Sequence, residues 1–197
     1  MDIDLIKGLY NSGKSVPQIA NELGLSQWML YNKMKREKVL RRLPAESNKI
    51  RFLSKPLSFS KKNYLRPMER DLMIAGLMLY WAEGSKRNIN TIDFANSDPK
   101  MVVIFLNLFR SIYQIQEDKL RVLLYCYANQ SIPDLILFWK KLTKIPEKQF
   151  TKPYVRSDFQ EDKVNRMRYG MVHIRYNDQR LMTQLKKDID SFTKQLV

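Results

Sequence analysis

Apolar positions along the chain recur at two spacings. Through residues 3–36 the spacing is helical: Ile3, Leu5, Ile6 and Leu9 in "IDLIKGLYN", Val16, Ile19, Ala20 and Leu23 in "SVPQIANELG", then Leu30 and Met34 in "QWMLYNKMKREKVL". Ser15 and Ser26 stand where N-caps belong, Gly24 stops the second helix, and Pro17 falls in a first turn, where proline is tolerated. Residues 41–66 lose the periodicity and are rich in Lys, Arg, Ser and Pro. They read equally as a tether for a phosphate backbone or a solvated linker, with partial order around Ile50 to Leu53. From Pro67 the pattern resumes with a helix, "PMERDLMIAGLMLYWAEG", that is apolar nearly all round at "AGLMLYWA" and so is expected to be packed on several sides.

Downstream, "NTIDFANS", "KLRVLLYCYA", "KQFTKPYVR" and "RYGMVHIRY" read as strands. Helices are predicted at "SDPKMVVIFLNLFRSIYQI", "SIPDLILFWKKLTKI" and "DQRLMTQLKKDIDSFTKQL". The fold class is α+β: a three-helix module over 1–42, a basic linker over 43–66, and a mixed α/β domain over 67–197 with its helices on one face of the sheet. Alternation sorts the strand faces. Val122, Leu124 and Cys126 share one side, with Arg121, Leu123, Tyr125 and Tyr127 opposite; Phe150, Lys152, Tyr154 and Arg156 fall together; Val172, Ile174 and Tyr176 look inward while Met171, His173 and Arg175 look away. A basic, aromatic face opposite an apolar one suits a sheet that grips a nucleic-acid groove.

Charge strengthens that reading. The net charge is +15, with 14 Lys and Arg against 5 Asp and Glu in residues 1–66 and 21 against 15 in the remainder. A surplus this large favours a polyanionic partner, with nucleic acid first among them and a solvated basic surface as the plain alternative. One cysteine, Cys126, excludes an internal disulfide and a multi-thiolate zinc site. His173 is the only histidine and has no nucleophile motif beside it, and no Gly-rich phosphate loop occurs. The acids of "DFQEDK" read as a solvated turn. No signal peptide is apparent, and no uncharged run approaches the roughly 18 residues of a membrane span. A cytoplasmic protein with no membrane partner is expected.

One residue resists helix physics. Glu83 lies in the last turn before Gly84, expected as an αL cap, where a negative charge opposes the macrodipole at a cost of about 0.3–1 kcal/mol.

The segment "GKSVPQIANELGLSQWMLYNKMKREKVLRR", with Ala20, Leu25, Leu30 and Met34 at packing positions, resembles helix-turn-helix modules of the resolvase and regulator type. Its third helix would then be the recognition helix. Gln27, Trp28, Tyr31, Asn32 and Lys35 project outward, with Gln and Asn suited to adenine and Lys35 and Arg36 to phosphates. A helical bundle for protein contact is the alternative.

The region from "GLMLYWAEG" onward resembles the LAGLIDADG homing-endonuclease fold, through Ala82-Glu83-Gly84, "FANSDP", "FWKKLTKIP" and "RYGMVHIRYNDQRL". It is similar to small bacterial, phage or archaeal proteins that couple this fold to a helix-turn-helix. The resemblance implies a saddle-shaped antiparallel sheet over double-stranded DNA. It also implies a homodimer whose paired helices each deliver an acid to a shared divalent metal such as Mg²⁺. Glu83 would be that acid and metal ligand, and a basic residue (Lys86 or Arg87 by sequence, Arg175 by fold) would steady the phosphate. Ala75, Gly76, Leu79 and Ala82 would form the helix contact, since Met78 replaces the small residue usual at its position. The expected function is sequence-specific DNA binding with metal-dependent endonuclease activity. The alternative is a non-catalytic transcription regulator, as in the sporulation-regulator branch of the fold.

Overall fold

The computed structural model describes residues 2–87, 89–157 and 167–196. The chain divides into two compact units, Met1–Pro56 and Leu57–Val197. The segment "DFQEDK" lies outside the described residues.

The first unit is helical: α1 (Ile3–Asn11), α2 (Val16–Glu22), α3 (Gln27–Arg36) and α4 (Pro44–Leu53). Side chains of Asp2, Ser15 and Ser26 cap the first three, each accepting from a backbone N–H of the first turn, a contribution of about 1 kcal/mol apiece. Gly24 takes the left-handed turn between α2 and α3 at φ 63°. Ile6, Tyr10, Ile19, Ala20, Leu30 and Met34 form the core. Leu5, expected inward, is instead half exposed, and Tyr10 fills the core one turn later. The aperiodic stretch after α3 contains a full helix, α4. Arg42 ties the chain back across this unit: its guanidinium lies 4.0 Å over the Tyr10 ring and donates to the carbonyls of Tyr10, Gly13 and Lys14.

The second unit contains α5 (Pro67–Glu83), β1 (Ile92–Asn96), α6 (Pro99–Asn107) continuing as a π-helical turn (Leu108–Ile112), β2 (Leu120–Tyr127), α7 (Ile132–Thr143), β3 (Tyr154–Arg156), β4 (Met171–Tyr176) and α8 (Gln179–Thr193). The four strands lie in the order β1-β4-β2-β3. β4 pairs antiparallel with β1 and β2, but β3 runs parallel to β2, so the sheet is mixed and open, not antiparallel throughout. The reason is connectivity: α7 crosses over between β2 and β3, which returns the chain in the same direction. β3 and β4 therefore form no hairpin.

One sheet face carries the core. Ile92, Phe94, Val122, Leu124, Cys126, Val172 and Ile174 meet Leu77, Phe105, Phe109, Trp139, Leu181 and Leu185. An aromatic run, Phe94–Phe105–Phe109, links β1 to the π turn at centroid distances of 4.3 and 4.5 Å. Residues 57–62, read from sequence as the end of the linker, are a strap of this unit. Ser60 and Lys62 donate backbone N–H groups to the carbonyls of Tyr113 and Ile112, and the buried Ser58 hydroxyl donates to Asp178 at 2.5 Å. Lys61 and the Tyr113 hydroxyl both donate to Asp188, at 2.5 and 2.7 Å. Among the described residues no helix is long and apolar enough to cross a membrane.

Candidate nucleic-acid interface

Two surfaces carry the residues singled out by sequence, one on each unit. On α3, the inward positions Leu30 and Met34 fix the opposite face as solvent-facing. Trp28 is 74% exposed; Gln27, Tyr31, Lys35 and Arg36 are exposed and Asn32 half-buried. Arg41 stacks on the Tyr31 ring, 5.3 Å from its centroid, so the helix presents a guanidinium beside its aromatic pair. An indole left this open does nothing for its own unit's core, and large exposed aromatics of this kind mark contact surfaces.

On the second unit the sheet face opposite the core bears Asp93, Arg121, Tyr125, Tyr154, His173 and Arg175. The register sets Asp93, Arg175 and Arg121 side by side across β1, β4 and β2, and Tyr125 beside Met171 and Tyr154. Asp93 is the organising group. It accepts from Arg175 Nε at 2.9 Å and pairs with His173 Nδ1 at 2.8 Å. Burial alone would push its pKa up, but hydrogen bonds and charge from His173 and Arg175 more than offset this and hold it below the ordinary carboxylate value. An ionised carboxylate only accepts, so His173 carries its proton on Nδ1. Its Nε2 is buried and unpartnered among the described residues. The imidazole lies 4.7 Å from the Tyr125 ring, which lies 4.8 Å from that of Tyr154. A ladder of rings thus spans three strands and ends at the sheet edge on Tyr154, 55% exposed.

Asp93 was missed by sequence reasoning. Its signal was there: an acid between Ile92 and Phe94 in an alternating strand must face away from the core. Other positions depart from expectation. Tyr127, assigned to the open face, is buried, with the Arg156 guanidinium 5.8 Å over its ring. Phe150 packs against the core instead of joining Tyr154 and Arg156, which are exposed on β3; Lys152 is exposed just before that strand.

Glu83 ends α5 and is exposed. Gly84 is not the αL cap expected of it: it is extended, at φ −73° and ψ 147°. Its N–H still donates to the Tyr80 carbonyl at 2.8 Å, while Ser85 N–H donates to the Asp93 carbonyl and Gly84 bridges Phe94. The helix therefore runs straight onto the sheet edge. Glycine is required there because a Cβ would lie 2.5 Å from the Tyr80 ring. Lys86 lies in the exposed segment beyond, in the wall of a cleft between α5 and α8.

At Glu83 the end of α5 offers one exposed carboxylate. Among the described residues no group of three or more His, Cys, Asp or Glu side chains is placed to hold a metal ion. The described residues of one chain thus bring no such group to Glu83. Of the four residues expected at a helix–helix contact, Ala75 and Ala82 are exposed. Gly76 is buried against Leu108 of its own core, where a Cβ would come within 2.7 Å, and Leu79 packs on the same core. The open stripe of α5 is formed by Met68, Asp71, Ile74, Ala75, Met78, Trp81 and Ala82, with Met78 half-buried.

No protein-family model matches the chain, and comparison with curated proteins and with solved structures finds no match.

Proposed function

We propose that this chain is a sequence-specific double-stranded-DNA-binding protein. The observation that carries the reading is the outer face of α3, where Gln27, Trp28, Tyr31, Lys35 and Arg36 are exposed together on a short capped helix. In this reading α3 is the recognition helix of a helix-turn-helix. Gln27 and Asn32 read base edges, Trp28 and Tyr31 make apolar contact, and Lys35 and Arg36 take phosphates. The open sheet face adds Arg121, Arg156 and Arg175 with the Tyr125–Tyr154 ring pair. Asp93 supports this face by orienting His173 and Arg175.

A second reading, a homodimeric LAGLIDADG-type endonuclease, rests on Glu83. An exposed acid at a helix C-terminus, with no hydrogen-bond or ion-pair partner among the described residues, favours a cation beside it. A non-catalytic regulator would need the basic surfaces alone.

Selection of binding sites from random duplexes tests both readings. Specific binding should emerge and be lost in Trp28→Ala and Lys35→Ala; no enriched sequence at low ionic strength would sink the DNA reading. Incubating the selected site with Mg²⁺ or Mn²⁺ then separates enzyme from regulator. Double-strand breaks abolished by Glu83→Gln, with affinity unchanged, mark the nuclease, and tight binding without nicking in either metal marks the regulator.

A further inference from the structure

Between the C-terminal end of α5 and the last turns of α8 lies a cleft of about 330 Å³. That is within the range of about 300–1,000 Å³ typical of small-ligand sites. Tyr80 and Ile189 line its inner side, and Trp81, 51% exposed, forms an aromatic wall. Three charged groups line the rest: Lys86 from the segment after α5, and Lys186 and Asp190 from α8. None of the three side chains makes an ion pair or a hydrogen bond with a described residue. Tyr80 is not free to take part, because its hydroxyl donates to the Ser85 carbonyl at 3.0 Å and burial pushes its pKa up to about 12. The cleft therefore combines an open π-face, two uncommitted ammonium groups and one uncommitted carboxylate on a mostly apolar floor.

We infer that this cleft binds a nucleotide, with the base stacked on Trp81, the phosphate between Lys86 and Lys186, and Asp190 accepting from N–H groups of the base. Each part follows from the chemistry available. Ammonium groups take a phosphate as point charges, and indole stacks any base. A carboxylate accepts two hydrogen bonds at once from a guanine edge, while an adenine or uracil edge offers it fewer donors. Simple anion capture would not need the aromatic wall, and an apolar ligand would not need the lysines. The same chemistry is offered by a free nucleotide and by the 5′-phosphorylated end of a DNA strand. The site uses neither α3 nor Glu83, and shares only Lys86 with the endonuclease reading.

The test uses the full chain in the Trp28→Phe background, without metal. Of the remaining tryptophans, Trp139 is fully buried, which leaves Trp81 as the accessible reporter. Guanosine 5′-monophosphate should quench tryptophan fluorescence saturably, with inorganic phosphate and guanosine each binding at least about tenfold more weakly. Lys186→Ala and Trp81→Ala should each weaken binding about tenfold, and Trp81→Phe should restore most of the loss measured by calorimetry. Short oligonucleotides with and without a 5′-phosphate separate the sources. Preference for the free nucleotide assigns a soluble ligand, and preference for the phosphorylated strand assigns a DNA end. The inference is overturned if neither binds saturably below millimolar concentration, if inorganic phosphate binds as well as the nucleotide, or if Lys186→Ala and Trp81→Ala bind like the parent.

Discussion

Gly84 and Asp93 show how single residues join α5 to the sheet. The extended backbone of Gly84 is open to any residue, so its requirement is purely spatial: the Tyr80 ring and carbonyl occupy the place of a Cβ. Gly84→Ala should therefore destabilise the second unit by about 1–3 kcal/mol, the usual cost of overpacking, measured by chemical denaturation. An unchanged midpoint would mean that Tyr80 moves aside freely. Asp93 predicts an acid effect. Its pKa is held below the ordinary value despite burial, as is that of Asp178, whose burial is offset by Ser58 and the N–H groups of Arg180 and Leu181. A depressed carboxyl contributes stability that is complete above its unfolded value and is lost as pH falls through the folded one. Stability should thus decline below about pH 4. Asp93→Asn should flatten that decline while lowering the plateau at neutral pH, because His173 and Arg175 then share a single uncharged acceptor oxygen. Parallel stability–pH curves for variant and parent would refute the assignment.

At the level of elements, periodicity made the long segments legible and local chemistry hid the rest. The helices α1 to α3 and α5 to α8 and the strands β1, β2 and β4 follow from apolar spacing, because each buries a continuous face. α4 was not legible: it buries no residue fully, so its sequence carries no apolar stripe to read. The strap 57–62 was hidden for a different reason. Apart from Phe59, it is held by backbone bonds and the polar groups of Ser58, Lys61 and Lys62, which look like linker composition until Asp178, Asp188 and Glu69 are seen opposite them. The direction of β3 was equally invisible, since three exposed residues do not encode which neighbour they pair with. For the sites, alternation found His173, Arg175, Tyr125 and Tyr154 but misplaced Tyr127. Nothing in the spacing of Trp81 and Lys186, more than a hundred residues apart, signals that they share a cleft.

At the scale of the molecule, the endonuclease reading requires that two copies meet along α5. Ile74, Ala75, Met78 and Ala82 leave an apolar stripe on the C-terminal half of a helix whose opposite side, Gly76, Leu77 and Tyr80, is sealed by its own core. A two-fold interface is self-complementary, so a stripe centred on Met78 and flanked by alanines can lie against its own copy at short range. Trp81 precedes Ala82 by about 100° around the helix, on the flank next to α8, and need not be covered. The prediction is a dimer in sedimentation at micromolar concentration. Ala82→Glu should convert it to a monomer with little loss of fold stability, because exposed substitutions usually act within about 0.5 kcal/mol. Duplex affinity should then fall and its salt dependence should flatten. Each phosphate no longer contacted removes about 0.9 from the slope of log affinity against log salt. If breaks require two Glu83 side chains, Ala82→Glu should also abolish cleavage while half-site binding survives. A parent protein that stays monomeric at tens of micromolar, with and without duplex, would remove the dimer and with it the paired Glu83 carboxylates of the endonuclease reading.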